Sequence, residues 1–233
     1  MLKEICCDPY LIPDFLKIYP LTLIKDETIQ PKMWELYEKK IWVPYSREDI
    51  LSILSSFLSE VPEFIRIQRF QRQFNDLDFF YDKFKFRKKL ENILRKRDIE
   101  VKCIRSQEIK TYNSGVSYTN KSLINLSYQN YDGYNYFITI KNKNNLLLGY
   151  LRLYLNQRSI IREVKVIGES SPVGKTSKIQ GRGLGKLFIK SVEKFSKKRG
   201  YKEVFVNASP GVRDYFKKLG FIESNYLMKK ELK

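Results

Sequence analysis

The 233-residue sequence contains no histidine. That absence excludes Ser–His and Cys–His catalytic pairs, imidazole general bases and His-ligated metal centres. Any proton transfer falls to Glu, Asp, Tyr, Lys, Cys or water. Cysteine is nearly as scarce, with only Cys6, Cys7 and Cys103. Two of the three are adjacent, so no disulfide framework can be drawn, and a reducing, cytoplasmic compartment is the simplest setting. No apolar run approaches the roughly 20 residues that a membrane-spanning helix needs. Lys3, Glu4 and Asp8 come too early for a secretory signal peptide. A membrane is therefore not expected as a partner.

Acidic residues are short in one half of the chain. Residues 1–110 hold 21 Lys and Arg against 18 Asp and Glu, whereas residues 111–233 hold 23 against 8. Most of the formal charge of +18 thus sits in the second half. An anionic partner is the natural inference, nucleic acid first. A generally Lys-rich surface is the alternative that charge alone leaves open. Apolar residues make up 42% of the chain, enough for real cores.

What is present is centred on Gln180-Gly181-Arg182-Gly183-Leu184-Gly185-Lys186. Glycine lets backbone approach a bulky ligand closely. The first turn of a helix offers unpaired N–H groups at its positive dipole end, so a glycine-rich helix start suits phosphate oxygens. The helix behind it is marked by Leu184, Leu187, Phe188, Val192 and Phe195 at three- and four-residue steps. Lys197, Lys198 and Arg199 crowd its last turn, and Gly200 ends it. The order G-x-G-x-G is not the dinucleotide fingerprint, and no P-loop is present. The competing explanation is a glycine-rich turn that lets a helix pack closely.

Taken in order, residues 8–25 read as a loop feeding a short buried strand at Leu21–Ile24. Trp34 to Tyr37 suggests a helical turn. A helix over Arg47–Ser59 is capped by Ser46, with Asp49 as its capping-box partner. Phe64 to Phe74 begins as an alternating strand, Lys83 to Arg97 is a very basic helical segment, and Val101–Ile109 reads as a strand. The polar stretch Thr111–Asn120 has the composition of a linker, so the domain boundary is placed at 110/111. Strands follow at 121–128, 134–141, 146–155 and 160–167, with turns at Asp132-Gly133 and Asn142–Asn145. After the glycine-led helix come a strand at Glu203–Asn207, a short helix at Val212–Leu219 and a final strand at Phe221–Leu232. This order gives a mixed α/β domain with its ligand at a strand-to-helix junction.

The pattern Gln180-x-x-Gly183-x-Gly185 resembles the acetyl-CoA signature of the GNAT acetyltransferases. The run from Gly211 to Phe221, followed by Tyr226-Leu227-Met228-Lys229, resembles the Elongator catalytic subunit family, a tRNA-modifying group that fuses a radical-SAM domain to a GNAT-like domain. Further blocks fall in family order. They are Pro13–Pro20, Pro44-Tyr45-Ser46, Arg66-Ile67-Gln68-Arg69, Cys103–Glu108, Gly149–Leu153 and Arg162–Gly168. The sequence departs from the family at Gly181, where His is usual, and at Phe216, where a second tyrosine is common.

The resemblance implies an α/β fold with a GNAT-like domain over residues 111–233. Before it, residues 1–110 form a basic α/β region like the end of a radical-SAM domain and its linker. It implies acetyl-CoA held by Gln180, Gly181, Arg182, Gly183, Leu184, Gly185 and Lys186. Tyr215 would lie near the thioester sulfur, and protonates a leaving thiolate in that role; a core tyrosine is the alternative. Glu163 sits where many such enzymes place a base, although an ion pair with a neighbouring cation weighs more. Arg213 and Asp214 read as surface charges. tRNA would meet Arg66, Arg69 and Arg72, and the cluster Lys83, Lys85, Arg87, Lys88, Lys89, Arg95, Lys96 and Arg97, which a solvated helix face explains equally well. The family's iron–sulfur cluster and S-adenosylmethionine are not expected in this chain, because no C-x3-C-x2-C triplet is present. Cys103 matches at most one ligand of the family's Cys/His zinc site, and no metal is expected. The expectation is an Elongator-like acetyltransferase homologue that binds acetyl-CoA and tRNA, with any radical chemistry supplied by a partner in trans. A stand-alone GNAT N-acetyltransferase and a non-catalytic tRNA-binding protein are the rivals.

Overall fold

A computed structural model describes residues 2–72, 80, 84–108, 122–167 and 183–233. The chain divides into two compact units, Met1–Gln107 and Glu108–Lys233. The linker expected at 111–120 lies outside the described residues.

The N-terminal unit holds α1 (Glu4–Cys7), β1 (Phe15–Lys17), α2 (Pro31–Glu38), α3 (Arg47–Glu60), β2 (Arg66–Arg69), α4 (Phe86–Lys96) and α5 (Ile104–Gln107). β1 and β2 pair in parallel, Phe15 opposite Arg66 and Leu16 opposite Ile67. α3 begins as its sequence directs. Asp49 N–H donates to Ser46 Oγ at 3.0 Å, and Ser46 N–H donates back to Asp49 Oδ2 at 3.3 Å. This reciprocal pair satisfies two helix-start donors. α4 buries Phe86, Leu90 and Leu94, one residue per turn, and leaves Lys88, Lys89, Arg95 and Lys96 exposed.

Two expectations in this unit are corrected. The first strand is not Leu21–Ile24 but Phe15–Lys17. Leu23 and Ile24 are buried, yet side chains engage the Ile24 backbone: its N–H donates to Gln30 Oε1 and its carbonyl accepts from Trp34 Nε1. The strand expected over Val101–Ile109 is instead the short helix α5, followed by an isolated bridge at Glu108. Cys103 and Ile104 are consecutive and both fully buried. An alternating strand sends consecutive residues to opposite faces, whereas a turn can bury both on one side.

The C-terminal unit is one seven-stranded sheet in the order β3-β4-β5-β6-β7-β9-β8. Its elements are β3 (Ser122–Asn130), β4 (Gly133–Lys141), β5 (Leu147–Leu155), β6 (Ser159–Val166), α6 (Leu184–Lys197), β7 (Glu203–Val206), α7 (Arg213–Lys218), β8 (Ile222–Ser224) and β9 (Leu227–Glu231). A 3-10 turn, Pro210–Val212, leads into α7. β3 to β6 form an antiparallel meander, and α6 carries the chain over to β7, which runs parallel to β6. The single strand expected at Phe221–Leu232 is a hairpin of β8 and β9. It turns through Asn225, whose φ of 54° is left-handed, a conformation that Asn tolerates better than most residues.

α6 packs on the sheet through Leu184, Phe188, Ile189 and Val192 against Leu151, Leu153, Ile161 and Val204. A β-carbon on Gly149 would stand 3.1 Å from the Phe188 ring, so the helix reaches the sheet at a residue with no side chain. The Ser159 and Ser196 hydroxyls, both buried, hydrogen-bond to each other at 2.7 Å across this interface. Among the described residues no helix is long and apolar enough to cross a membrane.

Candidate functional site

β6 and β7 run side by side for only three residue pairs, Ser159–Ile161 with Val204–Val206. Among the described residues β6 then continues to Val166 paired with β5 on its other side alone. The parallel strands therefore part where the helix α6 begins. A cleft of about 630 Å³ fills the gap. Val164, Lys165 and Val166 of β6 form one wall, and Gly183 to Lys186 form the head. Val212, Tyr215, Phe216 and Leu219 form the opposite wall. The alternation along β6 is broken at Arg162 by a bulge, opposite the step from Arg152 to Leu153.

Gly183 is the N-cap of α6, with φ 77° and ψ 8°. A residue with a β-carbon is strained there. Among the described residues no side chain caps the helix start. The N–H groups of the first turn, which have no partner within the helix itself, thus stand at the head of the cleft at the positive end of a 14-residue helix. Gly185 lies two residues further in, within the same first turn. A β-carbon on it would overlap the Tyr215 hydroxyl. The structure so brings together Gly183, Leu184, Gly185, Lys186 and Tyr215. Leu184 is buried and contributes its side chain to the core, while Lys186 is exposed at the rim. Gln180, Gly181 and Arg182 lie outside the described residues.

Tyr215 packs edge-on against Phe216 at 5.3 Å between ring centres, and Phe216 packs on Phe221 in the same way. Burial pushes the Tyr215 phenol above its ordinary range, so it stays a proton donor through neutral pH. Its neighbours Arg213 and Lys217 both pair with Glu223, at 3.7 and 2.9 Å, on the outside of α7.

Glu163 has a different environment. Arg152 Nε donates to its Oε2 at 3.0 Å, and the Tyr150 hydroxyl donates to its Oε1 at 2.9 Å. Arg152 is 1% exposed and lies against the Phe137 and Tyr150 rings. Because Gly149 faces α6, its neighbour Tyr150 points to the other sheet face, and register places Lys165 opposite Tyr150. Lys165 pairs with Glu108 at 3.6 Å. Both Glu163 oxygens are thus engaged by a buried cation and a phenol, an arrangement that fixes a carboxylate. The register that supplies Arg152 and Tyr150 depends on the bulge, which no sequence pattern announced.

The basic candidates divide by exposure. Lys85, Lys88, Lys89, Arg95, Lys96 and Arg97 stand exposed on or beside α4, opposite Phe86, Leu90 and Leu94. Arg69 and Arg72 are exposed and Arg66 is half-buried. Arg87 faces inward. Its Nη2 donates to the Ile67 carbonyl at 2.5 Å, Nη1 lies 3.5 Å from Glu91, and its guanidinium covers the Phe70 ring. Burial draws its pKa below the usual arginine value. Lys83 lies outside the described residues. Cys103 is fully buried, and its sulfur accepts from the Ile67 N–H at 3.3 Å. Among the described residues no group of three or more Cys, Asp or Glu is placed to hold a metal ion.

Parted parallel strands with a glycine-led helix at the fork give the C-terminal unit the form of a GNAT-class acyltransferase domain. Residues 125–231 match the acetyltransferase (GNAT) domain, and residues 13–96 match the Radical_SAM C-terminal domain. The chain is similar along nearly its whole length to Elongator catalytic subunits. It is 26% identical over 253 residues to the tRNA uridine(34) acetyltransferase of Methanocaldococcus infernus, covering 100% of this chain and 47% of that protein. To Elongator complex protein 3 of Saccharomyces cerevisiae it is 27% identical, covering 98% of this chain and 44% of the yeast protein. The structure of the archaeal Methanocaldococcus infernus Elp3 with an N-terminal deletion superposes with a TM-score of 0.86 at 26% identity, covering 100% of this chain and 58% of that one. The chain thus spans a little under half the length of these curated relatives.

Proposed function

We propose that the chain binds acetyl-CoA in the cleft between β6 and α7 and serves as the acetyl-handling part of a tRNA-directed acetyltransferase. The observation that carries this reading is the fork itself. Beyond Ile161 the β7-facing edge of β6 has no strand partner among the described residues and can offer its backbone groups to an extended amide-bearing arm. The first-turn N–H groups after Gly183, with Lys186, offer donors and charge to a pyrophosphate. GNAT acetyltransferases use acetyl-CoA, and a coenzyme that is a pyrophosphate at one end and a diamide arm at the other fits that pairing.

Within this reading each residue has one task. Gly183 lets the backbone turn at φ 77° and, apart from its chain neighbours, no atom of the described residues lies within 4 Å of where a side chain would start. Gly185 leaves room for the Tyr215 hydroxyl beside the helix start. Tyr215, protonated and half-buried, donates its proton to the thiolate that leaves when the acetyl group departs. Glu163, held by Arg152 and Tyr150, shapes the strand beside the cleft and is not the base. tRNA as the acceptor is supported by the tRNA uridine(34) acetyltransferases among the relatives, by the exposed basic face of α4 and by the charge of +18. That acceptor also supports a cytoplasmic setting. The radical step that would complete a carboxymethyl-type modification is assigned to a radical-SAM partner.

The test is acetyl-CoA binding by calorimetry and acetyl-CoA hydrolysis with and without tRNA, on the full chain and on Gly183→Glu. Glutamate there places negative charge and a strained residue at the head of the cleft. Binding in the wild type, lost in the variant, with hydrolysis that rises on adding tRNA, is the expected result. Turnover on a free amine with no response to tRNA would replace this reading with a stand-alone N-acetyltransferase.

A further inference from the structure

A second concavity, of about 900 Å³, lies on the C-terminal unit between α6 and the β8–β9 hairpin. Its cationic wall is lysine throughout. Lys190, Lys194 and Lys197 come from the helix, and Lys229, Lys230 and Lys233 from the last strand and the tail. Two glutamates also line it, Glu193 and Glu231. Glu193 is engaged by Lys230 at 2.7 Å, and Lys229 is engaged by Glu203 at 2.7 Å. These pairs tie the groove together and leave the helix lysines over. Lys197 donates to the Lys233 backbone carbonyl, a neutral partner. Lys190 and Lys194 meet no acidic group among the described residues.

The spacing of these lysines is regular. Lys186, Lys190 and Lys194 follow one another at four residues, about 6 Å of helix rise per step, a step comparable to that between successive phosphates of a nucleic-acid strand. Like charges at this spacing repel and weaken a helix. Here the repulsion is retained along one stripe that begins at the coenzyme cleft, which Lys186 lines, and runs into the groove, which Lys190 lines. The groove presents no aromatic platform. Its apolar lining is Ile222 and Leu232. Lysine ammonium groups are point charges that contact phosphate without reading bases.

We propose that this groove docks a phosphodiester strand of RNA, held by Lys190 and Lys194 and guided along α6 toward the coenzyme cleft. The proposal deepens the tRNA-directed reading and rests on it. It assigns to the acetyltransferase unit an RNA-backbone contact of its own, separate from the basic face of α4. Binding through phosphates alone makes the contact indifferent to base sequence and steeply dependent on salt.

The experiment is anisotropy of labelled tRNA against the full chain from low to physiological salt. It compares wild type with the double variant Lys190→Gln, Lys194→Gln, and with Lys88→Gln, Lys89→Gln in α4. Glutamine keeps helix propensity close to that of lysine, so the fold is preserved. The groove variant is expected to bind about tenfold more weakly at low salt, with a salt slope shallower by about 1 per lysine. The loss should be equal for tRNAs of different sequence, and acetyl-CoA affinity should not change. Unaltered affinity and slope in the groove variant, with wild type binding tRNA and the α4 variant impaired, would overturn the groove and spare the functional reading. No tRNA binding by the wild type would overturn both. Displacement of tRNA by inorganic tripolyphosphate at equal phosphate concentration would overturn RNA as the occupant and assign the groove to a small polyphosphate.

Discussion

Gly185 and Tyr215 are fitted to one another: the glycine has no side chain, and the tyrosine hydroxyl occupies the space where its β-carbon would be. The pair couples the helix that heads the cleft to the helix that forms its far wall. Gly185→Ala sets a local gain in helix propensity, about 1 kcal/mol, against overpacking of about 1–3 kcal/mol. Overpacking wins unless Tyr215 moves out of the cleft. The single variant is therefore expected to lose stability in a denaturant titration or to lose acetyl-CoA affinity. Combining it with Tyr215→Phe removes the clash. The double variant should then be at least as stable as Tyr215→Phe alone, a coupling that a double-mutant cycle measures. Additive effects would mean that the two residues do not share this space.

Tyr215→Phe by itself separates the acid from the wall. The ring and its contact with Phe216 are kept, and only the proton donor is lost. Acetyl-CoA affinity should hold, while turnover falls by about 100-fold or more, the usual contribution of a positioned acid. Because burial raises the folded pKa of Tyr215, turnover that needs its proton should persist to higher pH than an ordinary tyrosine, near 10, would allow. The stability sign follows from the same shift. The contribution is whole below the unfolded pKa and is lost as pH rises from there through the raised folded value. In Tyr215→Phe that alkaline decline should be reduced, which thermal melts across the alkaline range detect.

Glu163→Gln distinguishes a catalytic base from a structural anion. Arg152 is buried and its Nε is committed to Glu163. Removing the carboxylate takes a charged partner from that cation, at a cost of about 3 kcal/mol, near the lower end for broken buried pairs because Glu163 is partly exposed. A lower melting temperature with turnover per folded molecule largely kept is the expected outcome. Lost turnover with unchanged stability would restore Glu163 as the base. Arg152→Met in the Glu163→Gln background should recover part of the lost stability, since an apolar side chain leaves no buried charge.

Much of this architecture was written in local chemistry. The start of α3 was legible because Ser46 and Asp49 are a reciprocal cap three residues apart. α6 was legible because Gly183 and Gly200, both at positive φ, flank a helix with apolar residues at helical steps. The meander was legible from alternation and from turns such as the one that ends at Asn145, at φ 59°. What escaped depends on partners distant in sequence. Leu16 is a strand residue because Ile67 lies beside it in parallel, and nothing in residues 13–20 encodes that neighbour. Cys103 and Ile104 bury together against one core, so their alternation with polar neighbours misled. The engagement of Glu163 by both Arg152 and Tyr150 follows from a bulged register, which single-strand periodicity cannot contain. The lysine stripe of α6 was visible as composition, but the groove it faces is made by β9, more than thirty residues further on.

Arg87 and its neighbours on α4 are the sharpest case of one charge run holding two roles. Lys88 and Lys89 are exposed, whereas Arg87 closes the inner face by donating to the Ile67 carbonyl and covering Phe70. Arg87→Gln should therefore act on the fold. It frees a buried carbonyl and strips a ring of its cover, for a loss of about 2 kcal/mol, with a tRNA salt slope unchanged in the folded fraction. Lys88→Gln with Lys89→Gln should do the reverse, leaving the melting temperature in place and reducing the salt slope by about 1 per lysine. The two measurements, a melt and a salt titration, thus respond oppositely to adjacent residues of one sign. A phosphate contact made by Arg87 would instead show as a reduced slope in a variant of full stability. That result would require the helix to turn by about 100°, one residue's worth, from the face on which Phe86, Leu90 and Leu94 are buried.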